Sequence, residues 1–378
     1  MKVLIVASWY PTTSKPEDGV FFQQRARALA RNGCQVDVIV AEVCMKLHKR
    51  KAGITVSHNE GVTEYRYLRR NITPFWSEGV AIQQIDMIDK LYRMVCLESG
   101  KPDVIHLESA RSAYAAIALA KKEKIPLTYT EHYTGILDSK PRSFLDRTMK
   151  KAVKNADHIF LLCSAMKRCL NPPEKKSSFL PNAIDFSEFS VSRPSECFTF
   201  AALAGLRKIK GFDFLLRAFA NVVKAYPQCR LIIGGDGGDR EYLHTLSKEL
   251  HIEQYVEFRG KIPVETRGDF FRGISAFVCS SLTETFSIVV IEALASGVPV
   301  VATRCGGPED LINCTNGYLV EKGNVSSLTE GMIRMIKNRG SFNSEKIRQD
   351  AYLLYEEDSV VSRQIDCFRR LISRSIGE

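Results

Sequence analysis

The chain has 378 residues, 45% hydrophobic and 25% charged, which fits a globular protein of two ordinary domains and excludes a disordered chain. No apolar run approaches the roughly 18 residues that span a bilayer. The net charge of +10 is uneven: residues 1–190 carry 29 Lys+Arg against 20 Asp+Glu (+9), and the remainder carries 24 against 23 (+1). A basic first half suggests an anionic surface or ligand, and with no helix-turn-helix, zinc-finger or RNP-type motif beside the charge, nucleic acid is not the expected partner.

In chain order, Lys2 to Ala7 reads as a first strand, too short in its apolar run for a signal-peptide core. Gly19 precedes an amphipathic helix, Val20 to Arg31, with Phe21, Ala28 and Leu29 inward and arginines outward. Gly19 is either a plain turn glycine or a point of close backbone approach to a ligand. Val36 to Ala41 is a second strand, and residues 46–75 read as basic and irregular. A helix over 79–99 places Ile82, Ile85, Ile88, Leu91 and Val95 at helical spacing. Val104 to Leu107 is a strand ending at Glu108, Ser112 to Lys122 an Ala-rich helix, and Leu127 to Thr130 a strand that runs into Glu131-His132. A histidine at the carboxyl end of a parallel strand sits at the ligand edge, although imidazoles also make ordinary structural bonds. Ser143 to Ala156 is a helix with a basic outer face (Arg147, Lys150, Lys151, Lys154), followed by a strand from His158 and a helix capped by Ser164. A Ser/Pro/Arg/Glu-rich link at Ser190 to Glu196 separates the two halves.

The second half opens with strand Phe198 to Leu203. A basic loop with Arg207, Lys208 and Lys210 then leads through Gly211 into a helix, Phe212 to Tyr226. Basic residues between a strand end and a helix start are placed to clamp a phosphate, or are simply solvated. Leu231 to Ile233 is a strand before Gly234-Gly235-Asp236-Gly237-Gly238, whose spacing is not that of a dinucleotide fingerprint. Tyr242 to Leu250 is a helix, and strand Val256 to Phe258 leads into Arg259-Gly260-Lys261. Ala276 to Cys279 (strand), Ser287 to Ser296 (helix) and Val300 to Thr303 (strand) form a βαβ unit. Thr285, Phe286, Ser287 and Ile288 set backbone N–H groups at a helix start, which suits a phosphate. Glu284 and Glu292 flank them. Glu292 lies in a helix apolar almost all round, so it needs a hydrogen-bonding ligand or a core Lys or Arg. A short strand near 316–320 and helices over 325–338 and 344–374 complete the chain. Eleven cysteines lack paired spacing and read as reduced thiols of a cytoplasmic protein.

Glu284-x7-Glu292, then Ala-Ser-Gly-Val-Pro-Val-Val and Gly306-Gly307-Pro308-Glu309-Asp310, resembles the donor-binding signature of the family 4 retaining glycosyltransferases. The resemblance covers nearly the whole chain, strongest over 200–320 and weakest before 130. It implies an α/β, GT-B fold: two facing Rossmann-like domains with parallel sheets, over 1–190 (acceptor) and 191–360 (nucleotide-sugar donor). A last helix, 361–378, crosses back to the first domain. Thr130-Glu131-His132 resembles the segment whose histidine contacts the donor sugar, and Asp18-Gly19 the glycine loop near acceptor and diphosphate. Lys210-Gly211 fits the family's Lys-Gly. The family's arginine would fall at Gly205, and Arg207 is the nearest substitute. Gly235 lies in the segment similar to the Gly-Asp-Gly turn, and Lys261 in the loop that holds the nucleobase through backbone contacts.

By this resemblance the chain moves a sugar with retention from a UDP- or GDP-sugar to an acceptor hydroxyl, on a glycan or lipid-linked acceptor of cell-surface polysaccharide or glycolipid synthesis. Lys210, Arg207 and the amides near Phe286 hold the diphosphate, Glu284 the sugar hydroxyls, Glu292 the ribose, and His132 orients the sugar. Neither metal nor other cofactor is expected. The basic half suggests peripheral attachment to the inner, anionic membrane face. The alternatives are a GT-B nucleotide-sugar epimerase and a non-catalytic protein that binds anionic surfaces.

Overall fold

The computed structural model describes residues 1–12, 18–45, 51–73, 76–137, 144–191 and 197–376. The chain divides into two compact units. The first holds Met1–Leu162, Met166–Pro181 and Glu357–Glu378, and the second holds Cys163–Ala165 and Asn182–Glu356. Most of the expected link at 190–196 lies outside the described residues.

The first unit carries strands β1 (Lys2–Ala7), β2 (Gln35–Cys44), β3 (Gly53–Asn59), β4 (Val62–Arg70), β5 (Val104–Glu108), β6 (Leu127–Thr130), β7 (His158–Leu161) and β8 (Ser177–Phe179). They lie in the order β3-β4-β2-β1-β5-β6-β7-β8. Every pair is parallel except β3–β4. Helices α1 (Val20–Arg31), α2 (Ser77–Glu98), α3 (Ala113–Glu123), α4 (Phe144–Asn155) and α5 (Ser164–Leu170) connect them. The central strand β1 is buried from Val3 to Ala7, which is why it reads as an unbroken apolar run rather than an alternation.

Three expectations change here. Residues 53–70 are not irregular: β3 and β4 form an antiparallel hairpin turned by Glu60 and Gly61, both at positive φ. β3 is exposed along its whole length, so it carries no burial signal. In α1 the buried stripe is Phe22, Arg25, Ala26, Ala28 and Leu29, with Phe21 only half-buried. Arg25 therefore faces inward, where Glu108 lies 3.9 Å away. In α2, Ile82 and Ile85 are exposed while Ala81, Gln84, Met87, Ile88, Leu91 and Val95 are buried. Gln84 Nε2 donates to the Ala41 carbonyl (3.2 Å), which fixes that face.

The second unit is a six-stranded parallel sheet: β9 (Thr199–Leu203), β10 (Arg230–Gly234), β11 (Val256–Gly260), β12 (Ala276–Cys279), β13 (Val300–Thr303) and β14 (Gly317–Val320), in the order β11-β10-β9-β12-β13-β14. This is the doubly wound order, whose switch point lies between β9 and β12. Helices α6 (Phe212–Ala225), α7 (Arg240–Glu249), α8 (Arg267–Phe270), α9 (Ile288–Ala295), α10 (Pro308–Leu311), α11 (Val325–Lys337) and α12 (Ser344–Tyr355) flank it. Phe200, Leu215, Phe219, Ile233, Val278 and Met332 share one buried cluster.

The single helix expected over 344–374 is two. The chain is extended at Glu356 (φ −59°, ψ 134°), where Ile184 N–H donates to the Tyr355 carbonyl (3.2 Å). A last helix, α13 (Glu357–Ile376), then belongs to the first unit. Its Phe368 is fully buried against His106 and Phe160, with ring centroids 5.9 and 6.1 Å apart. Among the described residues no helix is long and apolar enough to cross a membrane.

Candidate active site

In the second unit the predicted residues gather at the switch point. β9 delivers the chain into the loop Ala204–Arg207 and a single turn, Lys208–Lys210. Gly211 follows at φ +63°, and a Cβ there would stand 2.2 Å from the Ser280 carbonyl oxygen. Glycine lets α6 start against the loop that leaves β12. Leu282 N–H donates to the Ile209 carbonyl (2.8 Å) and Ser280 Oγ to the Lys210 carbonyl (2.9 Å). The two loops are thereby locked, and the Lys210 ammonium is salt-bridged to Glu284. Both side chains are mostly buried, 17% and 13% exposed, so water screens the pair only in part.

Glu284 is held as a short extended segment. Its N–H donates to the Cys305 carbonyl (2.9 Å), and Gly307 N–H donates to its carbonyl (2.7 Å). Phe286 beyond it is buried, and Ser287 has a left-handed backbone (φ 78°), a conformation costly for a residue with a Cβ and found most often at functional sites. Val290 N–H donates to the Ser287 carbonyl (3.1 Å), and the preceding amides, of Ile288 and Val289, lie at the helix start and have no acceptor within the helix. One turn into α9, Glu292 meets Arg267 Nη1 at 2.6 Å. This is the core cation that the sequence left as one of two alternatives. Burial pushes the Glu292 carboxyl up, and Arg267 pulls against that shift. Its Oε2 is buried with no hydrogen-bond partner among the described residues.

On the neighbouring edge, Gly235 N–H donates to the Gly260 carbonyl (2.7 Å). A Cβ at Gly235 would stand 1.8 Å from the Ala204 oxygen, so only glycine lets the Arg207 loop pass. Arg207 is exposed, and its Nε lies 3.7 Å from where a Cβ on Gly205 would be. The side chain thus folds back over the position at which the family's arginine would start. Lys261 is exposed just beyond β11.

In the first unit, His132 follows β6 and is buried. Its Nε2 is 2.8 Å from Glu108 Oε2, and its ring centroid is 4.8 Å from those of Phe21 and Phe22 on α1. Gly19 (φ +79°) starts that helix: its carbonyl accepts Phe22 N–H (2.9 Å), and a Cβ there would crowd Trp9 Cδ1 at 3.0 Å. Glu131 is fully buried and accepts from Tyr129 OH (2.6 Å), Ala110 N–H (3.0 Å), His132 N–H (2.8 Å), Tyr133 N–H (2.9 Å) and Ser109 Oγ. Burial alone would raise the Glu108 carboxyl, but His106 and His132 outweigh it and hold it well below the usual range. Burial lowers the His132 imidazole, with Glu108 opposing. His106 Nδ1 lies 2.8 Å from Thr128 Oγ1.

Sequence reasoning passed over Glu108, Arg25 and Arg267. Glu108 had a usable signal, since it ends a central parallel strand just as His132 follows one. Arg25 and Arg267 had none, because both are oriented by partners distant in sequence.

The Glycosyltransferase Family 4 profile matches residues 19–188, and the Glycosyl transferases group 1 profile matches residues 184–353. An uncharacterized glycosyltransferase of Haemophilus influenzae is 31% identical over 261 residues, 66% of this chain and 71% of the relative. Among solved structures, sucrose-phosphate synthase from Thermosynechococcus elongatus superposes with a TM-score of 0.81 at 18% identity, over 99% of this chain and 100% of that one. Anabaena HepE in complex with UDP gives 0.75 at 17% identity, over 98% and 100%. Two doubly wound units, with the signature carboxylates at the switch point of the second, agree with these likenesses: the chain belongs to the group 1, family 4 type of glycosyltransferases and has the GT-B fold.

Proposed function

We propose that the chain transfers a sugar, with retention, from a nucleoside diphosphate sugar to an acceptor hydroxyl. The observation that carries this is the Lys210–Glu284 pair beside the start of α9. It sets a cation for the departing diphosphate next to a carboxylate that accepts from sugar hydroxyls and repels phosphate. Arg207 adds charge from the next loop, and the Thr285–Ile288 segment adds backbone donors. Glu292 holds the ribose, whose hydroxyls would satisfy its unpartnered buried oxygen. Gly235 and Lys261 border the nucleobase side, Gly19 the diphosphate, and His132 contacts the donor sugar, roles that rest on the family resemblance.

In the reaction, the bond from the anomeric carbon to the diphosphate oxygen breaks, and its electron pair leaves with the phosphate. The acceptor oxygen bonds to that carbon, and its proton leaves to a phosphate oxygen. Glu284 already faces Lys210, so the reading assigns it to hydroxyl binding rather than to covalent attack. The clamp cations supply the charge that a metal would otherwise bring. HepE, solved with UDP, makes uridine donors the first to try. The acceptor is read as a glycan or lipid-linked precursor, with the basic first half lying on an anionic membrane.

The test is a thermal-shift screen against UDP- and GDP-sugars, followed by NMR of the product's anomeric centre. A stabilising donor and a product that keeps the donor's anomeric configuration are expected. Inversion would overturn the retaining reading. An isomerised sugar nucleotide without acceptor would turn the reading toward an epimerase.

A further inference from the structure

Two carboxylates grip His132, one at the backbone and one at the ring. Glu131 takes the N–H groups of His132 and Tyr133 (2.8 and 2.9 Å) and so fixes where the residue sits. Glu108 meets the ring at Nε2 (2.8 Å), and the rings of Phe21 and Phe22 flank it. An ionised carboxylate accepts and cannot donate, so the Glu108 contact requires the proton on Nε2. Burial also keeps the ring neutral near pH 7. A neutral ring with Nε2–H carries its lone pair on Nδ1.

The far side of Glu108 supports its staying ionised. Thr128 Oγ1 donates to the Ile105 carbonyl (3.3 Å), so His106 Nδ1, 2.8 Å from that oxygen, is the donor to it. His106 Nε2 lies 3.1 Å from Glu108 Oε1. Thr130 Oγ1 lies 3.4 Å from the same nitrogen and can donate to it. Arg25 Nε, 3.9 Å from Oε1, sets a cation on this side of the carboxylate. Glu108 therefore has the His132 ring at Oε2 and the Arg25 guanidinium on the side of Oε1.

We propose that Glu108 is a positioning residue that fixes the Nε2–H tautomer of His132 and so makes Nδ1 the acceptor for a donor-sugar hydroxyl. The sugar contact rests on the reading of His132 given above; the tautomer does not. A hydroxyl or amide in place of Glu108 could either donate or accept and would leave the tautomer undecided. A carboxylate permits one answer.

The full chain labelled with 15N-histidine tests this, the His132 signals being assigned by their loss in His132→Asn. Near neutral pH the parent should show a protonated Nε2 and a bare Nδ1. Glu108→Gln, whose amide can donate to Nε2, should shift the ring toward Nδ1–H, and Glu108→Asp should restore the parent pattern. By calorimetry, Glu108→Gln should leave UDP affinity unchanged and weaken UDP-glucose about five- to tenfold, the loss of one hydrogen bond. A parent ring with Nδ1–H or averaged tautomers would overturn the proposal without any variant. So would a folded Glu108→Gln that keeps both the parent spectrum and the parent UDP-glucose affinity. A parent that binds UDP and UDP-glucose alike would overturn the sugar contact, and the spectrum would still decide the tautomer.

Discussion

At the scale of single residues, the second unit's site is a set of opposite charges whose value depends on burial. Lys210 and Glu284 were both singled out in the sequence, yet their pairing was not, because 74 positions separate them. Only the β9–β12 switch point brings their loops together. Lys210→Ala removes the cation and leaves a largely buried carboxylate facing the phosphate site. UDP affinity should fall by about 1–3 kcal/mol, the scale of a charge-assisted hydrogen bond. An unchanged calorimetric affinity would remove Lys210 from the clamp. Asp37 on β2 makes a separate, pH-dependent prediction. Burial, and then the Glu98 charge, push its carboxyl up to about 6 against the donated Ser99 hydroxyl. A carboxyl raised in the folded state favours folding while protonated, and that contribution is lost as pH rises from 3.8 through about 6. Asp37→Asn should therefore raise the melting temperature at pH 7.5 and change it little at pH 3.5. Equal shifts at both pH values would show that Asp37 does not titrate in this range.

At the scale of elements, legibility followed burial. Strand β1 and helix α1 have the bounds their sequence suggested, because each has an apolar run or stripe bounded by glycine or a polar turn. The β3–β4 hairpin was missed because β3 buries nothing and the arginines of β4 hide its alternation. The face of α2 was misread because isoleucines at 82 and 85 compete with the true stripe, and the Ala41 carbonyl decides between them through Gln84. The end of α12 carries neither glycine nor proline; tertiary bonds at Tyr355 impose it. Gly211 shows the reverse case, a residue whose necessity is visible only in three dimensions. Gly211→Ala would force a Cβ to 2.2 Å from the Ser280 oxygen at a positive φ. It should cost about 1–3 kcal/mol of stability and also weaken UDP binding by displacing Lys210. Denaturant unfolding and calorimetry on the same variant check both effects. A variant with parental stability would show that the α6 start is not held by this contact.

At the scale of the whole molecule, the charge is the property most plainly written in the sequence: +9 over residues 1–190 against +1 over the rest. Part of it is offset locally. Arg147 pairs with Glu78 (2.9 Å), Lys150 with Asp146 (3.0 Å), and Lys151 lies over the Tyr114 ring (4.2 Å). Of the basic stretch His48 to Lys51, only Lys51 is described, and it is exposed; residues 48–50 and Phe75 lie outside the described residues. What remains on the first unit includes exposed Trp76, Ile82 and Ile85 together with the basic face of α4. Each Lys or Arg near an anionic leaflet contributes about 1 kcal/mol within a Debye length. Liposome co-sedimentation should rise with anionic lipid, fall with salt, and drop when Lys150, Lys151 and Lys154 are reversed to Glu. Equal recovery from neutral and anionic vesicles at low salt would rule the membrane out. By itself the sequence determined the αβ alternation, the family and the identity of the switch-point residues, since these depend on local pattern and on glycines at loop ends. Only the tertiary structure decided which charges pair and where the last helix begins. Only there, too, does His132 stand between Glu108 and Glu131. A buried charge is oriented by whichever partner the fold brings to it, and 24 residues separate Glu108 from His132, a distance that the β5–β6 crossover closes and that no local pattern reports.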